Sequence, residues 1–369
     1  MREAVRYTAF RAGVGAPGTL PRKRPTPHAT PEADPSMAMI SQSNPSAAET
    51  GRERVRSNFP VAGRRWPIAL EPRDGSIDPA AWCATNRVWL DELLAEHGAV
   101  LLRNFPLPSP ADFSRTARAV WGDLFSDYGD LPRNSAGENI YESTPYPADQ
   151  MILFHNESSH LASWPMRISF HCVTPAPKGG CTPLLDTRAL IKQIDAGVLA
   201  NFRERGLLYV RNFSEGIEPT WQQFFRTDDR TTVEQMCRDA GSAYEWRPSG
   251  SLRVSRQARA VTLHPVTGDD VFFNQIQHHH IACVDEETRD GLRALFDDDD
   301  LPRHVYYGDG SPIPDDVMTY LGDLYESVAV RFPWQRGDML VLDNMLTAHA
   351  RDAFEGPRHI VVAMGRMSG

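Results

Sequence analysis

The chain has 369 residues, 41% of them hydrophobic, and a formal net charge of −9 at pH 7. That length holds one large domain or two ordinary ones around a substantial core, and the acidic balance disfavours broad contact with nucleic acid or an anionic membrane, since either needs a basic face. No apolar run long enough for a transmembrane helix occurs; five cysteines without a Cys-x-x-Cys pair (Cys83, Cys172, Cys181, Cys237, Cys283) fit a reducing cytosol rather than a disulfide framework or zinc ribbon.

Residues 1–57 are expected to form an extension that is disordered or precedes the true start, with Met37 and Met39 as candidate initiators. The stretch to Arg24 carries several arginines and a single acid, Glu3, which loosely resembles a transit peptide but lacks the apolar segment of a secretory signal. From Gly13 to Gly51, Pro, Ala, Ser and Thr dominate, with too few large apolar residues to offset chain entropy. One folded domain is expected over 58–369. Gly98–Phe105 reads as a buried strand, and Asp112–Trp121 as a short amphipathic helix after a Pro-Ser-Pro turn. Met166–Val173 alternates as a strand does, Pro175–Gly180 is a tight connection into the next strand, and Arg188–Arg205 reads as a helix. Val271–Asn274, Met339–Asp343 and His359–Met364 are further short β-rich runs, and the four carboxylates within Phe296–Leu301 read as a solvated loop. Many short strands with helical insertions place the fold in the mainly β, α+β class, a sandwich or jelly roll carrying helices on one face.

The chemistry centres on His155-x-Glu157. On an extended segment the two side chains share a face and reach one divalent cation. A third donor must then come from a distant strand, and His349, just beyond the run Gly337–Asn344, is the candidate. Two imidazoles and one carboxylate leave three coordination positions open, the ligand set of mononuclear non-haem Fe(II) oxygenases. The same donors serve Zn(II) in a hydrolase, whereas a metal-free binding module leaves them without a purpose. His278-His279-His280, read as strand residues, point to alternate faces and cannot converge, so they are expected to be polar histidines outside the site. Trp164, Trp334, Phe272 and Phe273 read as core, since no basic stripe accompanies them.

Four blocks carry a resemblance: Phe154–Glu157; Pro175–Pro183; Val271–Gln275; and the long block Trp334-Gln-Arg-Gly337-Asp338-x4-Asp343-Asn344-x4-His349-x-Arg351-x2-Phe354-x-Gly356-x-Arg358. Over Asn58–Met367 the sequence resembles the taurine-dioxygenase-like superfamily of Fe(II)/2-oxoglutarate oxygenases, especially its branch of clavaminate-synthase-like and syringomycin-type aspartyl hydroxylases. The resemblance implies a double-stranded β-helix core, Fe(II) held by His155, Glu157 and His349, 2-oxoglutarate and O2 as cosubstrates, and Thr182 and Arg358 on the distal carboxylate of 2-oxoglutarate. A guanidinium fork beside a hydroxyl suits a free carboxylate, and the Gly179-Gly180 turn just before Thr182 permits close backbone approach. Two departures stand out. Ala350 occupies a position where this branch has Gly, which touches the substrate side, and the carboxylate is Glu rather than the Asp of taurine-type enzymes, a variant of the hydroxylases that argues against the related halogenases. The implied substrate is an amino acid, free or tethered to a peptide-synthetase carrier protein; sulfonates and aryloxyalkanoates are the alternative. Asn274 and Gln275 either touch substrate or close a strand end, and Arg351 pairs either with a substrate carboxylate or with an acid such as Asp343.

Overall fold

The structure, a computed structural model, describes residues 51–125, 135–137, 140–142, 146–214 and 219–368. Most of the expected extension therefore lies outside the described residues. Its end does not: Val55–Asn58 is a strand paired antiparallel with Ile68–Pro72, and Val55 is buried in the core.

The largest sheet has eight strands in the order Val55–Asn58, Ile68–Pro72, Ala99–Leu102, Met339–Asp343, Pro165–Thr174, His359–Met367, Ile140–Glu142, Ser135–Gly137. Only Ile68–Pro72 and Ala99–Leu102 run parallel, joined through the helices Pro79–Thr85 and Arg87–His97. Apolar residues fill both faces of its central strands, which is why Ala99–Leu102 reads as an unbroken apolar run. Val100, Leu102, Met339, Val341 and Val361 pack against Phe113, Ala117 and Val120 of the helix Pro110–Trp121. That helix starts where Ser109 accepts the Asp112 N–H and Pro110 follows at the first turn, and it stops at Gly122. On the other face Leu101, Phe170, Leu340, Ile360 and Val362 meet Leu184 of a second sheet, which is three-stranded, in the order Ile152–His155, Thr347–Arg351, Leu184–Asp186. Two packed sheets with helical insertions agree with the expected class.

Between Leu184–Asp186 and Met339–Asp343 the chain adds an antiparallel four-stranded sheet, Ala243–Trp246, Leu252–Ala258, Leu207–Phe213, Arg303–Tyr307, which the sequence patterns did not resolve. The helix expected over Arg188–Arg205 is two helices, Thr187–Ile191 and Ala196–Arg205. Asp195 interrupts it by accepting the Gly197 and Val198 N–H groups as a fresh N-cap. The three consecutive histidines belong to a short helix, Ile276–His279, and the residue following it, not to a strand. No helix among the described residues is long and apolar enough to cross a membrane.

Candidate active site

His155 ends the strand Ile152–His155, and His349 is the middle residue of Thr347–Arg351. They are direct cross-strand partners with ring centroids 4.3 Å apart. Residues directly opposite on neighbouring strands share a face, so register alone brings together imidazoles far apart in sequence. Glu157 follows in the next turn, its Oε2 3.9 Å from His155 Nε2. One donor atom from each of the three lies within 4.8 Å of the others. Donors on one first-row ion at roughly 2.1 Å stand about 3–4 Å apart, so a small contraction suffices and the donor set fits such an ion. The site is secluded, with side-chain exposures of 10% for His155 and 8% for Glu157. Burial pushes the Glu157 carboxyl up to about 7; a bound cation would return it to the charged form.

The surroundings orient these donors. His155 Nδ1 lies 2.9 Å from the Leu153 carbonyl, which can only accept, so Nδ1 carries the proton and Nε2 offers its lone pair toward Glu157. The turn bearing Glu157 is clamped by Asn344, whose Oδ1 accepts the Glu157 N–H at 2.8 Å while Nδ2 donates to the carbonyls of Glu157 at 2.9 Å and Pro165 at 2.8 Å. Asn156 Nδ2 donates to the Asn344 carbonyl at 2.6 Å. Beside this turn, buried Asp343 pairs with Arg167 and His264 and accepts the Met345 and Leu346 N–H groups. Burial opposes its charge, but the His264 hydrogen bond and the Arg167 guanidinium outweigh that and hold the carboxyl below its ordinary range. His278, expected to be an uninvolved polar residue, packs against His155 with the rings tilted by 41° and their centroids 4.2 Å apart, and shares the Leu153 carbonyl.

Thr182 and Arg358 also meet. Arg358 Nη2 lies 3.4 Å from Thr182 Oγ1, Nε donates to the Gly180 carbonyl at 2.9 Å, and Trp334 Nε1 donates to the same hydroxyl at 3.1 Å. Gly179 and Gly180 have positive φ, and a Cβ on Gly179 would stand 2.3 Å from the Ala353 carbonyl oxygen. Only glycine allows that approach, which packs the turn against the segment leading to Arg358. Burial, reinforced by neighbouring Arg351, lowers the Arg358 pKa to about 10. A cation in this state favours a carboxylate partner.

The family description "Taurine catabolism dioxygenase TauD, TfdA family" matches residues 64–364. The chain belongs to the TauD/TfdA family. Relatives include the dapdiamide synthesis protein DdaC of Enterobacter agglomerans, 35% identical over 74% of this chain and 84% of its own length. A clavaminate synthase-like protein of Arabidopsis thaliana is 30% identical over 81% of this chain and 93% of its own. Among solved structures, PvcB of Pseudomonas aeruginosa shares the fold, with a TM-score of 0.52 at 17% identity, over 89% of this chain and 94% of that one. As a TauD/TfdA member the protein is an Fe(II)- and 2-oxoglutarate-dependent dioxygenase, with O2 as the second cosubstrate. Zinc hydrolysis, the competing use of the same donors, is set aside.

The His155–Glu157–His349 cluster and the Thr182–Arg358 pair of this TauD/TfdA protein open into one cavity of about 1220 Å³. Phe170, Ile360 and Val362 supply part of its apolar wall. Arg351 reaches the same cavity but is not held by Asp343: its guanidinium donates to the carbonyls of Tyr146, Pro147 and Gln150. Asn274 does not line the cavity. Its backbone N–H and carbonyl hold Asn156, and its Oδ1 accepts the Ile276 N–H, so it supports the turn bearing Glu157. Neighbouring Gln275 does face the cavity.

Proposed function

We propose that His155, Glu157 and His349 hold the Fe(II), that Thr182 and Arg358 bind the distal carboxylate of 2-oxoglutarate, and that the enzyme hydroxylates an unactivated C–H of an amino acid, free or carried by a peptide-synthetase carrier protein, in biosynthesis. The observation that carries this reading is that a three-donor cluster and a part-buried hydroxyl–guanidinium pair, contributed by distant segments, face one cavity. The chemistry supplied by bound iron is activation of O2 coupled to decarboxylation of 2-oxoglutarate. The chain's own residues do the rest. Asn344 and the Leu153 carbonyl fix the donors, Arg358 orients the cosubstrate so that its keto acid end faces them, and Phe170, Ile360 and Val362 keep water from the reacting centre. The amino-acid assignment is supported by the four sequence blocks and by the relative named for dapdiamide synthesis.

The test is spectroscopic and then catalytic. Anaerobic Fe(II) plus 2-oxoglutarate should give the weak visible charge-transfer band of a metal-bound keto acid, lost in His155→Ala and His349→Ala. Succinate release should respond to free amino acids or to their carrier thioesters. Response only to a sulfonate or an aryloxyalkanoate would overturn the substrate assignment, and absence of the band in wild type would overturn the ligand assignment.

A further inference from the structure

Part of the cavity wall comes from the added four-stranded sheet, and one face of that sheet is cationic. Arg211 on Leu207–Phe213 stands directly opposite Arg303 on Arg303–Tyr307. Arg256 on Leu252–Ala258 stands opposite Tyr209, two residues before Arg211. Strand alternation therefore puts all three arginines on the face that carries Tyr209, and all of them line the cavity shared with His155, Glu157 and His349. Phe213 and Phe224 lie 4.9 and 4.3 Å from the Arg211 guanidinium and hold it by cation–π contact.

In a chain of net charge −9, the described residues lining this cavity include five arginines and only two carboxylates, Glu157 and Asp285. Glu157 belongs to the three-donor cluster, and exposed Asp285 is committed to capping a helix through the Thr288 N–H. Arg358 is assigned to 2-oxoglutarate. Arg256 decides the matter. Among the described residues its one hydrogen-bonded acceptor is the neutral Ala240 carbonyl, its buried Nε has no partner, and no carboxylate forms an ion pair with it. Burial lowers its pKa with no opposing charge. A half-buried guanidinium facing a ligand cavity without a counter-ion carries a desolvation cost that an anion brought by the ligand would offset.

We infer that Arg256, with Arg211 and Arg303 beside it, anchors an anionic group of the substrate, a carboxylate or a phosphate, on the end remote from the oxidised carbon. The substrate is then an acid carrying an extra negative charge, not a neutral or basic amino acid. This deepens the proposed function and rests on it for the statement that the cavity holds substrate. Metal-free protein should be titrated calorimetrically with glutarate and, separately, with inorganic phosphate, in wild type, Arg358→Gln, Arg256→Gln and Arg256→Lys. Binding should persist in Arg358→Gln, weaken about tenfold or more in Arg256→Gln and recover in part in Arg256→Lys; the tighter probe identifies the anion. Equal binding in wild type and Arg256→Gln would overturn the inference. In parallel, succinate release should be stimulated by aspartate, glutamate or their N-acyl or phosphorylated derivatives over asparagine, glutamine and lysine. Equal stimulation by neutral or basic amino acids, insensitive to Arg256→Gln, would also overturn it. Were no succinate released with any of these compounds, the proposed amino-acid substrate would fail while the titrations still decided the anion site.

Discussion

Replacing Asn344 by Ala removes three side-chain hydrogen bonds from a fully buried position: one accepted from the Glu157 N–H and two donated to the Glu157 and Pro165 carbonyls. Each bond contributes about 1 kcal/mol net, and each buried group left without a partner costs ~1–3 kcal/mol. Partial relaxation into the vacated space places the loss at about 3–5 kcal/mol, a large share of the ~5–15 kcal/mol that holds a typical domain folded. Denaturant unfolding of the metal-free protein, followed by circular dichroism, reads this directly. Because the same bonds fix the turn carrying Glu157, Fe(II) affinity should fall roughly 10–100-fold, the usual effect of losing a partner that orients a ligand. Asn344→Asp keeps the acceptor for the Glu157 N–H but turns an oxygen toward two carbonyls, so it should rescue neither property. An Asn344→Ala protein within about 1 kcal/mol of wild-type stability would refute the energetic argument, and one that loses stability but binds Fe(II) normally would refute the positioning role.

Arg358→Gln should weaken 2-oxoglutarate binding by about 2–5 kcal/mol while leaving metal affinity in place, with Lys rescuing only partly because it lacks the planar fork. Unchanged cosubstrate affinity would move the anchor elsewhere, though not readily to Arg366, which is engaged by Asp91 at 3.0 and 2.8 Å. Since burial raises the Glu157 carboxyl to about 7 and a ligating carboxylate must be ionised, divalent-metal affinity should climb by up to about tenfold per pH unit below that value and level off above it. The raised pKa also makes this group's contribution to metal-free stability complete below the unfolded value and lost as pH rises through about 7. Calorimetric titration with Mn(II) from pH 6 to 8 checks the metal effect, and a flat profile contradicts it. Gly179→Ala forces a Cβ to 2.3 Å from the Ala353 oxygen at φ +70°, so the variant should lose about 2 kcal/mol or more and need more 2-oxoglutarate; an unchanged melting curve would show that the turn yields.

The metal-site candidates were legible because His155-x-Glu157 and the long block ending at Arg358 carry their chemistry in local spacing. The strand at Ala99–Leu102 was legible because burial on both faces leaves an unbroken apolar run. Asn344 stands in the sequence only as part of a longer motif: an Asn after Asp reads as a turn residue, and its clamp appears only when Glu157 and Pro165 are brought to it. The break at Asp195 was hidden because the helical pattern runs on through it, although an Asp followed by Ala-Gly is a capping signal. His278 was misplaced by reading a helical turn as a strand. Arg211, Arg256 and Arg303 lie on three strands outside all four blocks, and nothing in their spacing reveals a common face until the register is known.

On the ribosome, Ile152–His155 emerges long before Thr347–Arg351, so the paired histidines cannot meet until synthesis has passed Arg351. Loop closure over such a separation is slow and comes late in folding. If these donors hold the iron as proposed, loading should wait for that strand: nascent or truncated chains lacking His349 would keep only two of the three donors and would neither capture the metal nor gain the stability that capture confers.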